Sequence, residues 1–279
     1  MENIKVIKRH KQILTILIII LCLILFFIYQ NNALQLTRLN IKSNIENSIK
    51  IIQISDLHGK QFGKKNSIFL AKLDKLSPDI VVFTGDLIDQ NAKNIDISVG
   101  FLGKISESYP TFFVLGNHEY RSNHAEEIVA KLVKAGVVVL RNEIQTINLK
   151  GVTINILGLD EPKNNSKSSV LFQNLNDKNG LKLVLSHYPE NYALLGDKSY
   201  NQYTFDLMMA GHAHGGQFRL PFIGGVYAPG QGINPKYYAG LYAEKENNKL
   251  VVSRGLGNSL FPLRLFNRPE IVEIIFQSN

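Results

Sequence analysis

Ile49-Lys50-Ile51-Ile52-Gln53-Ile54-Ser55-Asp56-Leu57-His58 is a short run rich in β-branched residues that stops on a carboxylate and an imidazole. The figure recurs four times. Ile80-Val81-Val82-Phe83 leads to Gly85-Asp86, and Thr111-Phe112-Phe113-Val114-Leu115 leads to Gly116-Asn117-His118-Glu119. Leu181-Lys182-Leu183-Val184-Leu185 leads to Ser186-His187, and Phe205-Asp206-Leu207-Met208-Met209 leads to Gly211-His212-Ala213-His214. In sheets joined by helical crossovers, ligands bind beyond the carboxyl ends of the strands, so five polar blocks at five strand ends can meet at one point. Gly85, Gly116 and Gly211 allow the backbone a sharp exit after each strand.

Between the first three runs the spacing turns helical. Ser67 to Leu76 repeats Ile68, Leu70, Leu73 and Leu76 before Pro78, Ile95 to Ile105 reads as a second helix, and His124 to Ala135 ends at Gly136. Downstream the rhythm changes. Val137 to Leu140, Ile144 to Leu149 and Val152 to Leu157 read as successive strands with a Lys150-Gly151 turn, and Glu190 to Gly196 as a short helix. Strands are also expected at Ala239 to Ala243, Leu250 to Ser253 and Glu270 to Phe276. A β-α-β-α-β half followed by a mostly β half predicts an α/β (α+β) fold of two packed mixed sheets flanked by helices, an αββα sandwich, and not one doubly wound sheet. Phe218 to Tyr238, rich in Gly, Pro and aromatics, reads as a long loop. Phe218, Phe222, Tyr227, Tyr237 and Tyr238 in it either contact lipid or substrate or cover the sheets.

Ile13 to Tyr29 is apolar all round, at the short end of what spans a membrane, and follows Lys5, Lys8, Arg9 and Lys11. The basic flank predicts a cytoplasmic N-terminus, an extracytoplasmic remainder and a single pass through the cell membrane. The nearest cleavage candidate, Asn31-Asn32-Ala33, is poor, so a retained signal-anchor is expected. The expected organisation is a basic tail (1–12), the anchor (13–29), a polar tether (30–48) and one domain (49–279). Cys22 is the only cysteine and lies in the apolar run, which removes disulfides and thiolate chemistry from the domain. The net charge of +8 includes the N-terminal flank and has no long basic run behind it. Neither a nucleic-acid nor a protein partner is expected, while anionic head groups or phosphorylated substrates suit the excess.

Asp56, His58, Asp86, Asn117, His187, His212 and His214 form a mixed N/O donor set without sulfur, which suits Mn, Fe, Zn or Co better than Mg or Ca. One ion takes four to six ligands, so seven donors fit two ions sharing a carboxylate. Taken singly, each has a plainer reading. Asp56 and Asp86 could be turn or cap residues, Asn117 turn chemistry and His187 a satisfied buried histidine. The plain readings do not explain five such blocks in order. His124 is expected at a helix start facing solvent, and Asp89 and Asp160 as loop or cap residues. Arg121 and Arg254 are candidates for phosphate contact, with an ordinary surface ion pair the alternative for each.

The blocks Asp56-x-His58, Gly85-Asp86, Gly116-Asn117-His118-Glu119, His187 and Gly211-His212-x-His214 resemble, in order and spacing, the calcineurin-like metallophosphoesterase superfamily. Gly215-Gly216-Gln217, Ser253-Arg254-Gly255-Leu256-Gly257 and Arg268-Pro269-Glu270 extend the resemblance to its bacterial membrane-associated branch, the YaeI- and YkuE-like phosphodiesterases. The resemblance implies that Asp56, His58 and His214 hold one ion, that Asn117, His187 and His212 hold the other, and that Asp86 bridges them beside a hydroxide. It implies that His118 faces the phosphate and that Glu119, where the family often has the shorter Asp, orients His118 through its second ring nitrogen. The activity implied is hydrolysis of a phosphodiester, with a lipid or cell-envelope ester the expected substrate. The alternatives are a phosphomonoesterase, a nucleotide-pyrophosphate hydrolase of the UDP-diacylglucosamine type, or a non-catalytic metal-binding membrane scaffold.

Overall fold

In the computed structural model, which describes residues 2–160, 168–243, 248–258 and 261–278, the five strand ends belong to two six-stranded sheets. The elements begin with α1 (Glu2–Asn32), β1 (Gln35–Ser43), β2 (Ile49–Ile54), α2 (Ser67–Leu76), β3 (Ile80–Thr84), α3 (Ile95–Ser106) and β4 (Thr111–Val114). Next come α4 (Asn117–Arg121), α5 (Ala125–Lys134), β5 (Val138–Val139), β6 (Glu143–Leu149), β7 (Val152–Gly158), α6 (Ser168–Asn176), β8 (Leu181–Leu185) and β9 (Leu207–Ala210). Two small hairpins follow, β10 (Arg219–Leu220) with β11 (Gly224–Gly225) and β12 (Tyr227–Ala228) with β13 (Gly232–Ile233). The chain closes with β14 (Gly240–Ala243), β15 (Lys249–Val252) and β16 (Glu270–Ser278).

The first sheet runs β1-β16-β2-β3-β4-β5 and the second β14-β15-β9-β8-β7-β6. β2 to β5 are mutually parallel, as are β7, β8, β9 and β15, so the polar blocks leave both sheets at the same kind of end. Strand alternation assigns the faces. Ile52, Ile54, Val81 and Phe83 pack with Phe69 and Leu73 of α2, Leu102 and Ile105 of α3, and Ile128 and Leu132 of α5. Their neighbours Ile51, Val82 and Val114 face Ile156, Leu183, Met209 and Val251 across the seam between the sheets. The outer face of the second sheet packs on Phe172 and Leu175 of α6 and on Tyr192, Tyr200 and Tyr237. This is the expected four-layer sandwich. Burial on both faces explains why its central strands read as unbroken apolar runs. At the site end, Gln53 bridges the sheets, its Nε2 donating to Thr84 Oγ1 (3.2 Å) and the Ala210 carbonyl (2.9 Å).

Four expectations change. The tether assigned to residues 30–48 is not a tether: Gln35–Ser43 pairs in parallel with β16 over nine residues, and Ile41 is buried. Its partner lies more than 200 positions away, so only the folded sheet supplies the hydrogen bonds this polar segment needs. The helix is also longer than the apolar run. Residues Val6–Asn32 form a stretch long and apolar enough to cross a membrane, and its end is tied to the domain. Asn258 Nδ2 donates to Asn31 Oδ1 (3.0 Å), Arg268 donates to the Tyr29 hydroxyl (2.6 Å), and Phe26 meets Phe266 edge-on. Helices α4 and α6 have no counterpart in the expected pattern, and the helix expected at Glu190 to Gly196 resolves into 3-10 turns at Pro189–Tyr192 and Gly196–Lys198.

Candidate metal centre

The five blocks meet where the two sheets end. Asp86 is their hub: its Oδ1 accepts the His118 backbone N–H (2.8 Å), which turns Oδ2 toward three imidazole Nε2 atoms. Those atoms belong to His187 (3.3 Å), His58 (3.8 Å) and His118 (3.9 Å). On one side, His58 Nε2 and His214 Nε2 lie 3.2 Å apart and Asp56 Oδ1 is 3.4 Å from His214 Nε2. On the other, His187 Nε2 lies 3.2 Å from Asn117 Oδ1 and 3.1 Å from His212 Nδ1. The donors therefore sort into Asp56, His58, Asp86 and His214, and Asp86, His187 and His212, with Asp86 common to both and Asn117 beside the second.

Backbone geometry aims these side chains. Asp56, His58, Asp86, His212 and His214 all adopt left-handed conformations (φ 51°, 49°, 58°, 65° and 46°), which non-glycine residues rarely take. Gly116 and Gly211 are required by close approach, since a Cβ at Gly116 would strike Asp86 and one at Gly211 would strike Ser55 and Asp56. The Thr84 carbonyl takes the Nδ1–H of His187 (2.8 Å), leaving Nε2 to face the donors.

The set fits a pair of cations. Burial lowers His58 to about 4 and His214 well below the usual histidine range, so both keep their lone pairs at neutral pH. Burial pushes Asp56 up to about 7 against the pull of His187. Burial also opposes the charge of His187, but Asp86, Asp56 and the Thr84 carbonyl overcome it and raise the group to about 10. The opposed shifts of Asp56 and His187 mark buried charge that a cation beside them would balance. The buried Nδ1 atoms of His58 and His214 have no hydrogen-bond partner among the described residues.

Glu119 departs from the role implied by the resemblance. Its buried carboxylate accepts four backbone N–H groups: Asp86 (2.9 Å) and Gly116 (2.7 Å) on Oε2, Leu87 (2.8 Å) and Ile88 (3.2 Å) on Oε1. It clamps the Gly116 turn to the Asp86 turn and does not reach His118, whose Nδ1 has no hydrogen-bond partner among the described residues. Arg254 departs as well. It is buried, donates to Glu270 Oε1 (2.8 Å) and lines a different cavity from the donors. Arg121 and His118 do line the donor cavity, of about 660 Å³, with Asp86, Asn117, His212 and His214. His124 is half-exposed beside Glu127, and Asp160 pairs with Arg141 (2.6 Å).

Three contributors had no local signal in the sequence. Glu190 Oε1 lies 3.9 Å from His212 Nε2, so a buried carboxylate backs the imidazole on the side away from the donors. Arg264, buried, donates to the carbonyls of Arg254, Gly257 and Asn267, which fixes the 254–257 turn against Asp56. Asn267 Nδ2 donates to the His214 carbonyl (2.7 Å) and holds that turn. Each acts on a group removed from it in sequence: Glu190 on His212, Arg264 on the Arg254 carbonyl 10 positions away, and Asn267 on the His214 carbonyl 53 positions away.

Comparison with known proteins agrees with the geometry. The profile of calcineurin-like phosphoesterases matches residues 49–216. An uncharacterized metallophosphoesterase of Campylobacter jejuni is 32% identical over 266 residues, 91% of this chain and 67% of the relative. The phosphodiesterase YaeI of Escherichia coli is 31% identical over 80% of each chain. The NAD nucleotidase of Haemophilus influenzae shares the fold, with a TM-score of 0.51 at 16% identity over 75% of this chain and 51% of that one.

Proposed function

The chain belongs to the calcineurin-like phosphoesterase family, a family of phosphoric ester hydrolases, and on that premise we propose that it cleaves a phosphodiester of a lipid or cell-envelope component. The observation that carries the reading is the convergence of six donors on Asp86, with His118 beside them on the cavity wall. Asp56, His58 and His214 would hold one divalent ion and Asn117, His187 and His212 the other, with Asp86 common to both. Two such ions supply Lewis acidity toward the phosphoryl oxygens and a strong nucleophile at neutral pH.

The chain's own groups do the rest. His118 stands 3.9 Å from Asp86 Oδ2 with a pKa lowered chiefly by burial. Its backbone is anchored on Asp86, which places the ring to donate a proton or hydrogen bond to an ester oxygen entering the cavity. Arg121 sits at the wall, where a guanidinium can pair with phosphate. Glu119, Arg264 and Asn267 hold the loops and touch no reacting atom. The extracytoplasmic placement is supported by the basic flank of the apolar helix, and the diester preference by the name of the Escherichia coli relative.

The test is hydrolysis of a chromogenic bis-aryl phosphate by the full chain in detergent with Mn²⁺, alongside Asp86→Asn. Turnover that Asp86→Asn abolishes together with metal binding is expected. Two bound ions per chain without turnover of this diester would sink the reading in favour of a metal-binding scaffold.

A further inference from the structure

The loops between His214 and Arg268 turn large apolar side chains outward. Phe222 is fully exposed, Ile233 is 82% exposed and Ile223 64%, and Phe261 and Phe266 are each about half-exposed. Single exposed hydrophobes are ordinary, but a joined set marks a contact surface. These are joined. Phe222, Ile223 and Phe266 open on one cavity with Gln35, the first residue of β1, and Phe266 packs on Phe26 of α1 with ring centroids 5.7 Å apart. From there the band continues to the metal cavity. Tyr227, opposite Ile233 in the small hairpin, and Phe218 and Phe261, in edge contact at 5.0 Å, form its rim.

Charge and connectivity identify what covers the band. Residues 218–243 contain no Asp or Glu, only Arg219 and Lys236 as charges, and in the acid-free stretch 254–269 Arg254 and Arg264 are buried, which leaves Arg268 as the cation at the surface. Lys60 and Lys72 reach the carbonyls of Asn31 and Leu34 at the helix exit. An acid-free, cation-bearing apolar band suits anionic lipid head groups. Only Ala33 and Leu34 separate α1 from β1, and side chains of the last turns of α1 touch the domain. A membrane crossed by this helix therefore meets the domain at this face.

We propose that the band is a bilayer-docking surface. Phe222, Ile223 and Ile233 sink into the interfacial zone of the membrane that α1 crosses, and the metal cavity opens at the level of the head groups. The site then draws phosphate esters carried by membrane amphiphiles in preference to freely diffusing ones. That substrate class rests on the phosphoesterase reading above, whereas the docking does not.

The chain contains no tryptophan, so one introduced tryptophan reports alone. Full-length Phe222→Trp and Ile233→Trp, with Val133→Trp on α5 as the reference, are reconstituted in phosphatidylcholine–phosphatidylglycerol vesicles with or without bromine near the head-group end of the acyl chains. Side chains at interfacial depth should lose roughly half their emission to bromine, while Val133→Trp should not change. Emission at both loop positions as insensitive to bromine as at Val133 overturns the docking. A blue shift without quenching by bromine also overturns it, by assigning the band to a second copy or another protein. Quenching requires no turnover, so an inactive enzyme and an undocked one give different results.

Discussion

Replacing Glu119 by Gln tests whether this residue is a clamp or the orienter of His118. A carboxylate offers about four lone-pair positions, and Glu119 already accepts four backbone N–H groups, so it has none to spare for an imidazole. An amide keeps one oxygen and turns an NH₂ toward two of those N–H groups. Two buried donors then lose their acceptor, at about 1–3 kcal/mol each, or roughly 4 kcal/mol together. For a domain of this size that is a fall in Tm of about 8–16 °C. The released turns carry Asp86 and Asn117, so ion binding should weaken as well. The assay is thermal unfolding of the full chain in detergent, followed by near-ultraviolet circular dichroism, with a metal titration of the same sample. A Tm within about 2 °C of the parent, with metal retained and kcat reduced about 100-fold, would refute the clamp and return Glu119 to His118.

Other outcomes follow from the same geometry. His118→Ala should retain both ions by metal analysis yet lose about 10²–10⁴ in kcat, and a released ion would show that His118 is a ligand. Because Asp86, Asp56 and the Thr84 carbonyl hold the proton on His187 up to about pH 10 against the effect of burial, an ion entering beside Asp86, His187 and His212 must displace it. The affinity of that ion should rise about tenfold per pH unit through the neutral range, with one proton released on its binding in calorimetry across buffers; a flat profile would contradict this. A chain begun at residue 33 keeps β1, whereas one begun at residue 45 uncovers the β16 edge and removes Ile41. The shorter one should aggregate on size exclusion while the longer stays monodisperse.

How much of this was legible depends on how far each interaction reaches along the chain. The strand runs and their polar ends lie within ten residues of each other, so Ile54 announces Asp56 and Met209 announces His212. Both layers and the donor set follow from that local pattern and from the ordered resemblance. β1 escaped because Gln35–Ser43 acquires its identity from β16, and a polar edge strand next to an apolar helix looks like a linker until its partner is known. Arg254 misled for a related reason: the motif around it is real, but its guanidinium is engaged by Glu270, 16 positions on. Glu119 sits in the right block with a different job, because three of its four partners are backbone groups more than 30 positions earlier, and backbone groups carry no residue-type signal.

The left-handed ligands explain why so many buried groups bind backbone instead of substrate. Each non-glycine residue held in such a conformation costs on the order of 1–3 kcal/mol, so the five at Asp56, His58, Asp86, His212 and His214 together rival the net stability of a domain. The loops must therefore be fastened by bonds made elsewhere, and such fastenings surround four of the five. Glu119 holds the Asp86 turn, Arg264 the 254–257 turn against Asp56, Asn267 the His214 carbonyl, and Asp56 itself accepts the His212 N–H (3.1 Å). All of these bonds join groups of the chain itself, so its own residues supply the forces that hold the donor geometry. This division also separates the residues by the error each substitution should produce. Loss of a clamp lowers stability and affinity together, loss of a donor lowers affinity first, and only loss of His118 should reach turnover alone.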